Sequence, residues 1–333
     1  MAQMTMNMTG MDMQTLFRPI RPDLEAFDRR MTQCLRSDST LISAVARHIL
    51  ASRGKRLRPA LMFLLARSSG RYSRLLLDVA QAIELIHTAT LLHDDVVDES
   101  DFRRGQDTVN ARWTNLVSVL MGDFLFTRAF RVLVETDSPD LIKAISAATQ
   151  RVSYGELRQI EEVGNYNLSE AEYIRIISDK TASLFSISCE SGAILKKAPP
   201  TVRKRFRDLG ENVGIAFQIA DDLLDYVGKS DTIGKPPGAD LQQGKVTIPL
   251  IYALSRVSRK TRAEMMRLLV RPIPKSAANR ILAFVFEQGG IEYGYRTARG
   301  YADRAAAVVA SFPRNKYSLA LQGLVEFSVA RNK

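Results

Sequence analysis

The stretch Ala82–Arg104, AIELIHTATLLHDDVVDESDFRR, runs from an apolar segment into five carboxylates and two arginines. Read as a helix, Val79, Ile83, Ile86 and Thr90 keep a spacing of three to four that continues into Asp94 and Asp98, which places those two carboxylates one turn apart on one face. Asp95 points to the side. Four residues rise about 6 Å, a span over which two carboxylates can hold hard cations that also bind diphosphate oxygens. Mg²⁺ suits such a place because it prefers oxygen, keeps several waters, and takes one or two carboxylates together with phosphates. In Asp101-Phe102-Arg103-Arg104-Gly105 the two guanidiniums offer forked donors for phosphate. The competing reading is a solvated helix end with i,i+4 charge pairs.

A second copy of the pattern weighs against that bland reading. In Gly214–Tyr226, GIAFQIADDLLDY, Asp221 and Asp225 again sit at i,i+4 with Asp222 between them, and Gln218 precedes them on the same face. Two DDxxD helices suggest one cation cluster held from both sides. Upstream, Lys55, Arg56 and Arg58 follow Gly54 at the start of a helix with Pro59 in its opening turn, so cationic side chains and free backbone N–H groups would face one anion. Lys180-Thr181 lies within a helix of small and hydroxyl residues, an odd place for an amine unless an anion waits there. Lys235 and Lys245 flank a glycine-rich segment that reads as a lid excluding water. His87 lies two turns before Asp94 on its face; from the residues alone a satisfied core histidine is the better reading, for His93 as well, and His48 carries no signal.

From about Gly54 to Lys245 the chain resembles the trans-polyprenyl diphosphate synthases, the head-to-tail prenyltransferase family. GKRLRP resembles the family's isopentenyl diphosphate site, HDDVVDESDFRRG its first aspartate-rich motif and FQIADDLLDY its second; Lys180-Thr181 and the segment from Gly234 to Lys245 resemble its remaining diphosphate-binding elements. The stiff pair Pro236-Pro237 in that last segment is the one oddity. The resemblance implies an all-α fold, a single large helical bundle with a central substrate cavity. It implies Mg²⁺, about three ions, on Asp94, Asp95, Asp98, Asp221, Asp222 and Asp225. The allylic diphosphate would meet Arg103, Lys180, Thr181, Gln218, Lys235 and Lys245. Isopentenyl diphosphate would meet Lys55, Arg58, His87 and Arg104. Asp94, Asp98, Arg103, Lys180, Asp221 and Lys235 are expected to act on the leaving group.

Product length is expected to depend on Ala89 and Thr90, which precede Asp94 on the helix along which a growing tail would retreat. Short-chain members of the family carry an aromatic residue near this position. Small residues here, together with the likeness of IHTATLLHDDVVDESDFRRG to long-chain synthases of quinone pathways, point to products of roughly 35–50 carbons, each buried CH₂ stabilising the bound tail. A shorter-chain farnesyl or geranylgeranyl diphosphate synthase is the alternative. A terpene cyclase would carry Asn or Ser and Glu in its second motif and would not need GKRLRP; a noncatalytic prenyl synthase subunit would lack the aspartates.

Elsewhere helix signals dominate: Ser39, Ser138-Pro139 and the capping box Ser169–Glu172 open helices, and glycines and prolines close them, giving about ten to thirteen helices and no sheet. The 333 residues would suit about two domains by length alone. Because the two motifs must serve one cluster, a single domain over residues 14–333 is expected, after a loose methionine-rich end at residues 1–13. From Ile251 onward there are 15 Lys and Arg against 5 Asp and Glu, so +10 of the net +11 belongs to the C-terminal quarter. Arginines scattered at helical spacing read as solvated faces with at most a weak membrane-surface attraction, and nucleic-acid binding is not expected. Cys34 and Cys189 have no partner spacing, and neither an export signal nor a membrane span is evident, so a cytoplasmic protein is expected; the resemblance to the family implies a homodimer.

Overall fold

The computed structural model describes residues 12–52, 54–103, 105–227, 238–270 and 272–330. Among the described residues eleven α-helices lead up to and include the one that carries the second aspartate motif: α1 Met13–Phe17, α2 Arg21–Cys34, α3 Thr40–Ala51, α4 Leu57–Ser68, α5 Leu76–Val97, α6 Val109–Arg112, α7 Asn115–Val134, α8 Pro139–Glu161, α9 Glu170–Ile177, α10 Ser183–Leu195 and α11 Pro200–Val227. Among the described residues that follow there are six more: Ala239–Gln242, Ile248–Ser255, Arg259–Leu268, Lys275–Glu287, Gly290–Val309 and Lys316–Phe327. The fold is all-α. The helix number exceeds the sequence expectation because α1, α6 and Ala239–Gln242 have only 5, 4 and 4 residues, too short for periodicity to register.

The expectation of no sheet needs one correction. Phe102–Arg103 (β1) and Gln106–Asp107 (β2) form an antiparallel hairpin. Strands of two residues show no alternation in sequence. Gly105 makes the turn with φ of 76°, a conformation that glycine adopts without strain.

The caps follow the sequence. Ser39 accepts from the Ile42 amide at 3.3 Å, and Pro139 opens α8. Ser169 and Glu172 complete a reciprocal capping box. Residues 1–11 of the expected loose end lie outside the described residues, and Asp12 caps α1 by accepting from the Thr15 amide at 2.8 Å.

By proximity the chain divides into two compact units. The first comprises Met1–Thr149, Leu184–Asp208 and Val308–Leu324; the second comprises Gln150–Ser183, Leu209–Ala307 and Val325–Lys333. In the first, α4 and α5 are apolar almost all round and buried for most of their length, as helices at the centre of a core must be. α5 packs along α7. Ser118 donates to the Leu92 carbonyl at 2.9 Å, and the His93 ring lies where a Cβ on Gly122 would stand, its Nε2 within 3.1 Å of the Val119 carbonyl. His93 is thus a packing residue, and this contact anchors the turn of α5 that carries the first aspartates. In the second unit the last turns of α11 bury Ile219, Leu223 and Tyr226, and Tyr252 stacks on Tyr293 with ring centroids 4.0 Å apart.

Candidate active site

Asp94 and Asp95 of the first aspartate motif lie in the last turn of α5 and Asp98 is its C-cap, where helix carbonyls alone would repel carboxylates and cations reconcile the charge. Asp94 and Asp98 are half-buried, whereas Asp95 is turned inward and accepts from Arg103 Nε at 2.6 Å. The hairpin that presents Arg103 is sewn to the helix end. Thr108 donates its hydroxyl to the Ser100 carbonyl at 2.7 Å, the Thr108 amide donates to the Asp101 carbonyl at 2.9 Å, and Asn110 Nδ2 donates to the Ser100 carbonyl at 3.1 Å. Arg104 lies outside the described residues.

The basic segment before α4 separates into two roles. Arg56 caps the helix in the left-handed region, φ 51°, and its guanidinium is engaged by Glu84 and Asp28, each at 3.3 Å. It anchors the turn. Lys55 on one side is exposed, and Arg58 on the other lies over the Phe185 ring at 4.5 Å. A cavity of about 80 Å³ brings Gly54, His87, Asp95 and Arg103 together, so four residues from three segments singled out in sequence line one cavity. Ala89 is wholly buried on α5, and Thr90 is half-buried with its hydroxyl donating to the His87 carbonyl at 2.8 Å.

In the second unit Asp221 is exposed near the end of α11, while Asp222 and Asp225 are buried. Tyr173 donates to Asp222 Oδ2 at 2.6 Å, Gln218 Nε2 donates to Asp222 Oδ1 at 2.7 Å, and Thr181 donates to Gln218 Oε1 at 2.7 Å. Burial, reinforced by Asp240 and Asp221, pushes the Asp222 carboxyl up to about 7. Asp225 accepts from the Asp240 amide at 3.2 Å and offers its carbonyl to the Gly238 amide at 2.8 Å, which ties Gly238 and Asp240 to the end of α11. Lys235 and Pro236-Pro237 lie outside the described residues; Lys245 is half-buried, its amide bonded to the Asp240 carbonyl at 2.9 Å. Among the described residues no group of three or more His, Cys, Asp and Glu converges closely enough to cage a metal by itself. Open carboxylates completed by substrate phosphates are the arrangement Mg²⁺ takes outside all-protein cages.

Lys180 and Thr181 stand on a π-helical turn, Ser178–Ala182, a widening that is frequent at functional sites. Asp179 on this turn accepts from Arg151 Nε at 2.8 Å and Arg158 Nη1 at 2.7 Å, and Arg151 also reaches Glu211 at 2.6 Å. Lys180 Nζ donates to Glu156 at 2.7 Å. The two cysteine thiols are raised by burial, the reverse of what a nucleophile needs.

A family model described as polyprenyl synthetase matches residues 39–283. The chain belongs to the polyprenyl synthetase family. It is a prenyltransferase of that family and resembles long-chain members of it. An octaprenyl diphosphate synthase of Haemophilus influenzae is 36% identical over 93% of this chain and 94% of its own. An all-trans-nonaprenyl-diphosphate synthase (geranyl-diphosphate specific) of Rhodobacter capsulatus is 36% identical over 96% and 98%. A crystal structure of a polyprenyl synthase from Caulobacter crescentus CB15, complexed with calcium and isoprenyl diphosphate, superposes with a TM-score of 0.90 at 38% identity, covering 97% of this chain and 98% of that one. A divalent cation and a prenyl diphosphate are therefore bound by a close structural relative.

Sequence reading missed several residues that shape this prenyltransferase's site: Tyr173 behind Asp222, Glu156 beside Lys180, and the Arg151–Asp179–Arg158 clamp. One signal was available. Arg151, Gly155 and Arg158 fall on one face of α8, and a glycine inside a helix costs about 1 kcal/mol against alanine unless something approaches it closely.

Proposed function

We propose that this prenyltransferase catalyses head-to-tail condensation of isopentenyl diphosphate onto an allylic diphosphate, giving an all-trans product of roughly 35–50 carbons for quinone side chains, a length at which burial of each CH₂ still favours the bound tail. The observation that carries this reading is the hydrogen-bonded chain Thr181–Gln218–Asp222–Tyr173, which fixes a lysine-bearing turn to an aspartate-bearing helix as a diphosphate and its cations require. Asp94 and Asp98 of the first motif and Asp221 of the second would hold Mg²⁺, about three ions, with Asp95 and Asp225 beside them and Asp222 orienting Gln218. When bound, Mg²⁺ would neutralise charge on the departing diphosphate.

The chain's own groups do the rest. Arg103, Lys180, Lys235 and Lys245 bind the allylic diphosphate and stabilise the charge that grows as its C–O bond breaks with the electron pair leaving on oxygen. Lys55, Arg58, His87 and Arg104 hold the second diphosphate so that its double bond attacks the allylic cation. A proton is then lost to the released diphosphate, and apolar walls keep water away from the cation. Incubation with farnesyl diphosphate, isopentenyl diphosphate and Mg²⁺ is expected to give products in this length range by reverse-phase chromatography. A single addition that stops there would support the shorter-chain alternative, and a cyclic hydrocarbon would sink the condensation reading.

The same reading includes a homodimer working in the cytoplasm, with a weak attraction of the basic C-terminal quarter for anionic membrane into which the product partitions. Leu116, Leu120, Phe130 and Val134 face outward on α7, with Asp123 and Thr127 between them, and are 68%, 57%, 44% and 65% exposed; apolar side chains left exposed in this way support an interaction surface here. Light scattering is expected to give about twice the 37.2 kDa chain mass, and Leu120→Asp to shift it toward the monomer, because an isologous contact places the new charge against itself. A monomeric wild type, or a Leu120→Asp protein with undiminished mass, would remove this face from consideration. Among the described residues no helix is long and apolar enough to cross a membrane.

A further inference from the structure

Lys180 is held in place from its backbone outward. A Cβ added to Gly155 would stand 2.3 Å from the Lys180 amide nitrogen, so only glycine lets α8 come this near the π-turn. Asp179, the preceding residue, is gripped by Arg151 and Arg158 from the same helix, and Ser178 and Arg151 both reach Glu211. The widened turn therefore cannot slide along α8. Glu156, next to Gly155, is brought to a fixed station beside the lysine ammonium, 2.7 Å away, with the two side chains 24% and 21% exposed.

A carboxylate in that position opposes the binding of an anion. Any diphosphate that approaches Lys180 must share the ammonium with Glu156 and accept the repulsion of a second negative group in a partly desolvated place. An interaction that weakens substrate diphosphate and released diphosphate alike does not lower the barrier to ionisation, but it prevents the product from occupying the site between turnovers. We propose that Glu156 is a positioning residue that holds the Lys180 ammonium and limits its grip on diphosphate, so that the inorganic diphosphate released in each condensation departs. This rests on the reading of Lys180 as an allylic diphosphate ligand.

The test is competitive inhibition by inorganic diphosphate against the allylic substrate, with Mg²⁺ present and isopentenyl diphosphate saturating. Glu156→Gln keeps the shape and removes the charge; its inhibition constant and its allylic KM are expected to fall by roughly five- to tenfold, with kcat reduced because release is slowed. Glu156→Asp, which keeps the charge, is expected to stay within about twofold of the wild type. A merely structural role would lower thermal stability and kcat without tightening diphosphate. Lys180→Ala separates the two layers of the argument. If it weakens diphosphate while folded Glu156→Gln binds no tighter than the wild type, the Glu156 proposal falls and the Lys180 assignment stands. If Lys180→Ala leaves both constants unchanged, the assignment falls and takes the proposal with it.

Discussion

Asp94→Ala and Asp221→Ala are each expected to lower turnover by at least about a hundredfold, the scale for removing one electrostatic stabiliser of a developing charge. Neither change should unfold the protein: Asp94 is half-buried at a helix end already crowded with carboxylates, and Asp221 is exposed. The loss is expected in kcat more than in KM, because charge on the departing diphosphate is greatest at the transition state. Combining the two substitutions gives a sharper result. If both motifs act on the same leaving group through one set of ions, removing the first disables what the second contributes, and the double variant should be far less impaired than the product of the single losses. Rates multiplying independently would mean that the motifs act separately, and near-normal turnover in either folded single variant would remove that motif from the mechanism. Asp222→Asn is a useful contrast, since the Tyr173 and Gln218 donors that it accepts suggest an orienting role with a smaller loss.

The features legible in the sequence were those with a period or a charge. The i,i+4 spacing placed both aspartate pairs on helices, and the caps at Ser39 and Ser169 lie where hydroxyl chemistry put them. Elements shorter than a helical turn or two left no trace: the Phe102–Asp107 hairpin follows from Gly105 and from hydrogen bonds made by Thr108 and Asn110 to the end of α5, and tertiary partners are invisible to a periodicity. The same limit explains Arg56. Three basic residues within four positions, Lys55, Arg56 and Arg58, look equivalent until Glu84 and Asp28, distant in sequence, are seen to engage the middle one. It also explains Asp222, whose burial beside Tyr173 separates it from exposed Asp221 although the two are adjacent in the same motif. The π-turn at Ser178–Ala182 depends on a glycine and two arginines of α8 more than twenty residues away.

Replacing Ala89 with Tyr is expected to change what the enzyme makes more than how fast it starts. Ala89 precedes Asp94 by five residues, a rise of about 7.5 Å along α5 from the carboxylates toward the direction in which a growing tail must retreat. Its side chain is wholly buried, with Leu85, Ile86 and Leu92 of the same helix buried near it, so an added ring must either occupy tail space or push its neighbours apart. Overpacking a core of this kind costs about 1–3 kcal/mol, and thermal unfolding of the purified variant measures that part directly. The steric part appears in the products. Each CH₂ excluded from the protein forfeits about 0.8 kcal/mol, so an isoprene unit that cannot be buried makes the next addition unfavourable by several kcal/mol. Ala89→Tyr should therefore give mainly products of about 15–20 carbons, with the initial consumption of the allylic primer preserved, and Ala89→Leu, of intermediate volume, should stop elongation at intermediate lengths. A graded series of this kind separates a plug from general damage, which would lower all products together. If folded, active Ala89→Tyr and Ala89→Leu enzymes both make the wild-type length, the tail does not pass this residue, and the long product must be accommodated along another wall.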